Sequence, residues 1–249
     1  MKTKTMATIL LAASMALSLT ACAGTTDTDQ TKESSENIET RNNKKETENV
    51  HLNLAESWTF EYFYTIITPE VSSSTGYDIT YYLTNFYDTL VEYTEEGEIS
   101  GVLAEDWKVS EDGKTYTFNL KKGIKFSDGS DLTAEDVAKS ILAVPVNLGQ
   151  YNGSYGKLST IIEDAVVIDD YTVELHLKQP YYNTLRELCL TNPYGIVSSE
   201  QFDDELKAKE SFRTATYGTG PYMYEGSNDG QTWDFVRNPN YWGNTPQVD

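Results

Sequence analysis

The chain has 249 residues, 19 basic against 39 acidic side chains, a net charge of −20 and 39% hydrophobic residues, enough for one large domain or two small ones. A pI near 4.4 excludes a nucleic-acid binder, which needs a basic face to neutralise phosphate. Two cysteines exclude a disulfide-stapled scaffold and a thiolate zinc site, and two isolated histidines, His51 and His176, make no metal cluster, so neither metal nor cofactor is expected.

Lys2 and Lys4 precede an apolar run from Met6 to Leu19, which leads into Leu19-Thr20-Ala21-Cys22. A basic start, a short alanine-rich apolar stretch and a small residue at its boundary define a secretory signal peptide over residues 1–21. The small residue followed at once by Cys resembles the lipobox of bacterial lipoproteins. That resemblance implies an acylated Cys22 at the mature N-terminus and a product anchored on the extracellular or periplasmic side of a membrane without crossing it. Beyond Cys22, Ala23 and Ile38 are the only hydrophobics up to residue 49; such a segment cannot offset its ordering entropy, and 22–49 reads as a flexible tether. With Cys22 in the anchor, Cys189 has no disulfide partner, and its setting between Leu188 and Leu190 predicts a buried, inert thiol.

Order is expected over 50–249. Alternation in Val50-His51-Leu52-Asn53-Leu54 predicts a strand, and Tyr82, Leu83, Phe86, Tyr87 and Leu90 fall at helical spacing over 81–91. Segments 102–109 and 115–120 flank Ser110-Glu111-Asp112-Gly113-Lys114, a hairpin that buries Tyr116, Phe118 and Leu120. Asp128-Gly129 is a turn, Thr133 with Asp136 predicts the start of a helix through Val137 and Ile141, and Pro145 is expected to end it. A second hairpin joins 165–168 to 172–177 across Asp169-Asp170, with Val173, Leu175 and Leu177 on one face and His176 on the wetter one. Asn183 to Leu190 predicts a short helix, Ile196-Val197 a strand, and Ser199 the cap of a helix carrying Phe202 and Leu206. After the turn at Gly218-Thr219-Gly220-Pro221, strands are expected at 222–224 and 232–237. Interleaved strands and helices make the class mixed α/β.

Three ordered stretches add a resemblance. Leu103-Ala104-Glu105-Asp106-Trp107 running into Ser110 to Phe118, then Lys122-Gly123-Ile124-Lys125-Phe126-Ser127-Asp128-Gly129 and Leu132 to Val137, are similar to the signature of family 5 solute-binding proteins, the oligopeptide, dipeptide and nickel receptors of ABC importers. Asp170-Tyr171-Thr172-Val173-Glu174, Gly218 to Tyr222 and Arg237-Asn238-Pro239-Asn240-Tyr241-Trp242-Gly243 resemble its later landmarks in order. The resemblance implies a periplasmic-binding-protein-like type II fold, here a first lobe with its inserted subdomain and no second lobe, since intact members are about twice this length. It also implies a non-enzyme that captures a peptide or other small solute and passes it to an ABC permease and its ATPase. A tether suits that task by raising effective concentration at the transporter.

The resemblance nominates Trp58, Tyr64, Tyr77, Tyr81, Asn192 and Tyr194 as ligand-binding residues, from the segment after the first strand, the loop before the next helix, and the stretch between Leu190 and Ser198. The stretches 180–188 and 235–243 lean toward the nickel branch, which pairs arginines with a chelator's carboxylates. Neither Val144–Lys157 nor Asn192-Pro193-Tyr194-Gly195 contains Arg, which favours a peptide or other amphipathic ligand. A surface receptor that senses peptides is a further alternative. The acidic pairs Glu163-Asp164, Asp169-Asp170 and Asp203-Asp204 are expected to be solvated turn acids, not a glycosidase pair.

Overall fold

The computed structural model describes residues 51–54, 63–68, 80–227, 229 and 231–248. Its most regular part is a four-stranded antiparallel sheet in the order β3-β4-β6-β5, with β3 at Ala104–Val109, β4 at Thr115–Leu120, β5 at Ile162–Asp169 and β6 at Thr172–Leu177. Both predicted hairpins are present. Tyr116 faces Leu175 and Phe118 faces Val173 in register, so one face of the two central strands is apolar and buried. The opposite face carries Thr117, Asn119, Glu174 and His176; Thr117 donates to Glu174 at 3.1 Å, and His176 Nε2 lies 3.1 Å from the same carboxylate. His176 is on the wetter side, as the alternation predicts.

Helix α2, Ala134–Leu148, covers the apolar face with Val137, Ile141, Val144 and Leu148. The Thr133 N–H and hydroxyl both donate to Asp136 Oδ2, at 2.8 and 2.9 Å, which holds the first turn as a capping box does. Pro145 does not end this helix, which runs three residues further. The ring removes only one N–H in the last turn, while the buried Val144 and Leu148 hold that turn to the sheet. The Asn147 amide also donates to Ala143 C=O at 2.8 Å.

Elsewhere regular structure is short. The helix expected over 81–91 is a single turn, α1, Thr80–Leu83. The same apolar residues, Leu83, Phe86, Tyr87 and Leu90, are nonetheless buried, because turns carry them to the core. A hairpin that the pattern did not announce follows: β1, Val91–Tyr93, pairs with β2, Ile99–Gly101, around Gly97 at φ 81°. Segment 51–54 pairs with no strand among the described residues, and Leu52 and Leu54 are 62% and 66% exposed; a one-faced strand needs a ladder partner. Helices α3, Leu158–Ile161, α4, Thr184–Leu188, and α5, Thr191–Tyr194, are each a turn or little more. β7, Tyr222–Gly226, and β8, Asp234–Arg237, form the expected closing hairpin.

Two expectations fail around Ser199. Ile196 and Val197 are buried but join no ladder; the Ile196 N–H reaches Asp88 C=O at 2.9 Å, and Ser140 Oγ bonds both the N–H and the C=O of Val197 at 3.1 Å. No helix carries Phe202 and Leu206 either: a short 3-10 turn over Ser199–Gln201 gives way to a loop in which Phe202 bridges Ala208 and Leu206 has φ 62°. Asp203 Oδ1 accepts the N–H of Glu205 and Lys207, and Asn147 binds Leu206 C=O and Ala208 N–H. Side-chain groups have taken the backbone bonds a helix needs.

The part of the core under the closing hairpin is aromatic. Phe63 packs 4.4 Å from Tyr224, and Phe86 stacks on Phe235 at 5.1 Å. Close approach here requires glycine: a Cβ on Gly218 would fall 2.0 Å from the Phe86 carbonyl oxygen, a distance no side chain tolerates.

Candidate functional site

Three segments without regular ladders meet beside the sheet: 63–68, 149–158 and 181–198. Ile67 is where they join. Its N–H donates to Asn192 Oδ1 at 3.3 Å, and its C=O accepts from the Tyr155 hydroxyl. Two residues back, Thr65 lies against Gly195, whose added Cβ would sit 2.7 Å from the threonine methyl. The 149–158 loop bends through Gly153 and Gly156, at φ 99° and 134°, conformations open to glycine. It is fixed from behind by Glu187 of α4, which accepts the N–H groups of Lys157 and Leu158 at 3.1 and 2.8 Å and the Tyr181 hydroxyl at 2.5 Å. That hydrogen bond is the main reason the Tyr181 hydroxyl is pushed above its usual pKa, with burial second.

Among the nominated residues, Asn192 is 8% exposed and belongs to this junction. Tyr194 is 2% exposed and hydrogen-bonded to Ser159, and burial raises its pKa. Tyr64, 7% exposed, belongs to the aromatic core, with its ring 4.5 Å from Phe212 and 6.2 Å from Phe202. Its buried hydroxyl has no hydrogen-bond partner among the described residues, and burial lifts its pKa well above the ordinary value. Cys22, Trp58 and Tyr77 lie outside the described residues, as does the side chain of Tyr81, whose backbone is in α1. Sequence reasoning missed Tyr155 and Glu187; the glycines at 153 and 156 were the one available signal that this loop turns tightly.

The junction is rich in neutral hydrogen-bonding groups; of the three segments only 181–198 holds an Arg, Arg186, which is exposed on α4. Among the described residues no group of three or more His, Cys, Asp or Glu side chains is placed to hold a metal ion, and no helix is long and apolar enough to cross a membrane. Of the expected turn acids, Asp169 accepts the Tyr171 N–H at 2.9 Å and Asp203 organises its loop as described, whereas Glu163 and Asp164 are exposed residues inside β5. Cys189 is half-buried where full burial was expected; burial and the nearby Glu92 push its thiol up to about 11, and Sγ donates to Leu185 C=O.

Comparison with known proteins places this architecture among the type II periplasmic binding proteins. NikA from Brucella suis, solved in complex with Fe(III)-EDTA, superposes with a TM-score of 0.69 at 29% identity, over 80% of this chain and 38% of its own. DppA from Helicobacter pylori, in complex with the peptide STSA, gives 0.58 at 26% identity, over 78% and 40%. Residues 98–249 match the family model for bacterial extracellular solute-binding proteins, family 5 Middle. The chain belongs to that family. Among curated relatives, the nickel-binding periplasmic protein of Escherichia coli is 36% identical over 65% of this chain and 30% of its own length. The dipeptide-binding protein of Escherichia coli is 33% identical over 72% and 36%. The matched segments thus cover about a third of the length of these relatives.

Proposed function

We propose that the chain is part of an extracytoplasmic substrate-binding lipoprotein of an ABC importer, which captures peptides and delivers them to a membrane permease and its ATPase. The observation that carries the peptide reading is the junction at Ile67: main-chain groups, an amide and tyrosine hydroxyls, with no Arg in 63–68, 149–158 or 190–198 and Arg186 of α4 exposed. Such a surface suits the neutral main chain of an extended peptide and lacks the bidentate partner that a chelator's carboxylates seek. Similarity to the dipeptide-binding protein and to the peptide-bound DppA supports it. On this reading residues 1–21 are removed, Cys22 is acylated, and 22–49 tether the binding domain that starts at residue 50.

A second reading, capture of a metal chelate, is favoured by the similarity to the nickel-binding protein and to NikA with Fe(III)-EDTA. Calorimetry on the protein expressed from its complete reading frame separates the two. Saturable binding from a pool of short peptides is expected. Binding of a nickel chelate with none of the peptides would overturn the peptide reading. Mass spectrometry of the membrane-extracted protein tests the anchor: a diacylated Cys22 is expected, and an unmodified N-terminus elsewhere would remove it. Gene neighbourhood separates import from sensing, since adjacent permease and ATPase genes are expected for an importer.

A further inference from the structure

Glu187 is nine-tenths buried, yet every bond it makes among the described residues is to a neutral donor: the N–H groups of Lys157 and Leu158 and the Tyr181 hydroxyl. A buried carboxylate is costly unless its lone pairs are filled, so this residue does more than fill space. The loop reaches it only because residue 156 has no side chain; an added Cβ there would lie 2.4 Å from the carboxyl group. The two amides that Glu187 holds directly follow Tyr155 and Gly156, and Tyr155 closes the Ile67 carbonyl from the other side of the loop. A chain of contacts therefore runs from Glu187 through Lys157 and Leu158 to Tyr155, then Ile67, then Asn192.

We infer that Glu187 is a positioning residue for ligand binding, one that never touches the ligand and sets where the Tyr155 loop stands against Ile67 and Asn192. The inference rests on reading the Ile67 junction as ligand-facing. Because charge-assisted bonds to backbone N–H are roughly twice as strong as neutral ones, the carboxylate is the right group to hold a loop that has three glycines and no ladder of its own.

The test uses the protein from its complete reading frame, calorimetry with a pool of tri- and tetrapeptides, and amide hydrogen exchange. Glu187→Gln keeps the shape and one acceptor and should weaken peptide binding about tenfold, and Glu187→Ala about a hundredfold. Tyr181→Phe leaves both backbone bonds in place and should keep affinity within about twofold. Exchange at the Lys157 and Leu158 amides should quicken in the Gln variant while Phe118 and Val173 in the sheet stay protected. A merely structural role would lower the melting temperature and leave the affinity of the folded protein unchanged. Asn192→Ala distinguishes the two failures. If it weakens binding and Glu187→Gln does not, the inference is overturned and the site stands. If neither changes affinity, or the parent protein binds no peptide, the junction is not the peptide site and the inference falls with it. Should Glu187→Ala not fold, Gly156→Ala, which displaces the same loop, takes its place, and unchanged affinity in that variant and in Glu187→Gln together overturns the proposal.

Discussion

The sheet with its covering helix and the irregular layer beside it are held by different kinds of bond. Within the four strands of the sheet and along α2 the backbone largely satisfies itself, strand against strand and turn against turn. In the layer made by 63–68 and 190–220, single side chains do much of that work: Asn192 for Ile67, Ser140 for Val197, and Asp136 for the Ser199 N–H at 2.7 Å. The first arrangement is redundant, since losing one ladder bond leaves its neighbours in place. In the second, one residue exchange strips a main-chain group of its side-chain partner, and the candidate site lies there. The proposed binding surface thus lies where sequence change alters geometry without dismantling the sheet.

The largest expected effect probes the redundant half. Phe118→Ala, at a fully buried ring facing Val173, should cost about 4 kcal/mol in urea denaturation; a loss confined to local exchange would mean that the sheet is not the global unit. Gly218→Ala, blocked by the Phe86 carbonyl, should cost about 3 kcal/mol and disturb the aromatic core first. Ser140→Ala strands the N–H and C=O of Val197 and should cost about 2 kcal/mol, with faster exchange at 195–199 and an unchanged sheet. Equal loosening of both regions would erase the contrast.

Tyr64→Phe deletes a buried hydroxyl that has no partner among the described residues and should stabilise by about 1 kcal/mol in the same assay. The smallest effect is one of pH. Burial raises the Asp88 carboxyl above its ordinary value, against hydrogen bonds from Trp242 and Thr219 and the charge of Lys121. A raised value means that the folded state holds the proton more tightly. This group's contribution to stability is therefore greatest in acid and declines as pH rises from the ordinary carboxylate range through the raised value. Asp88→Asn should gain on the parent above that window and not below it, as melting temperatures between about pH 3 and 8 would show.

What the amino-acid pattern announced follows the same division. Both hairpins of the sheet, the start of α2 and the closing hairpin are written in alternation, Asp-Gly turns and a Thr-to-Asp cap, all of them signals within a few residues of one another. The failures lie where distant partners decide. Nothing near Phe202 or Leu206 reveals that Asn147, some sixty residues earlier, occupies the bonds a helix would use. Pro145 misled for the converse reason, since packing on the sheet outweighs one missing N–H. Of the site, Asn192 was found through a family likeness, while Tyr155 and Glu187 act through partners 88 and 29 to 30 positions away and leave no local mark.

The Ile67 junction sets a condition on any extended ligand. Adding a strand at an edge needs free N–H and C=O groups, and here the N–H is taken by Asn192 while the C=O already serves Tyr155. An incoming main chain must therefore compete with the protein's own side chains for that residue. On the proposed reading the amide and the phenol occupy the places of a peptide's own groups, and a guest has to displace them to pair with Ile67.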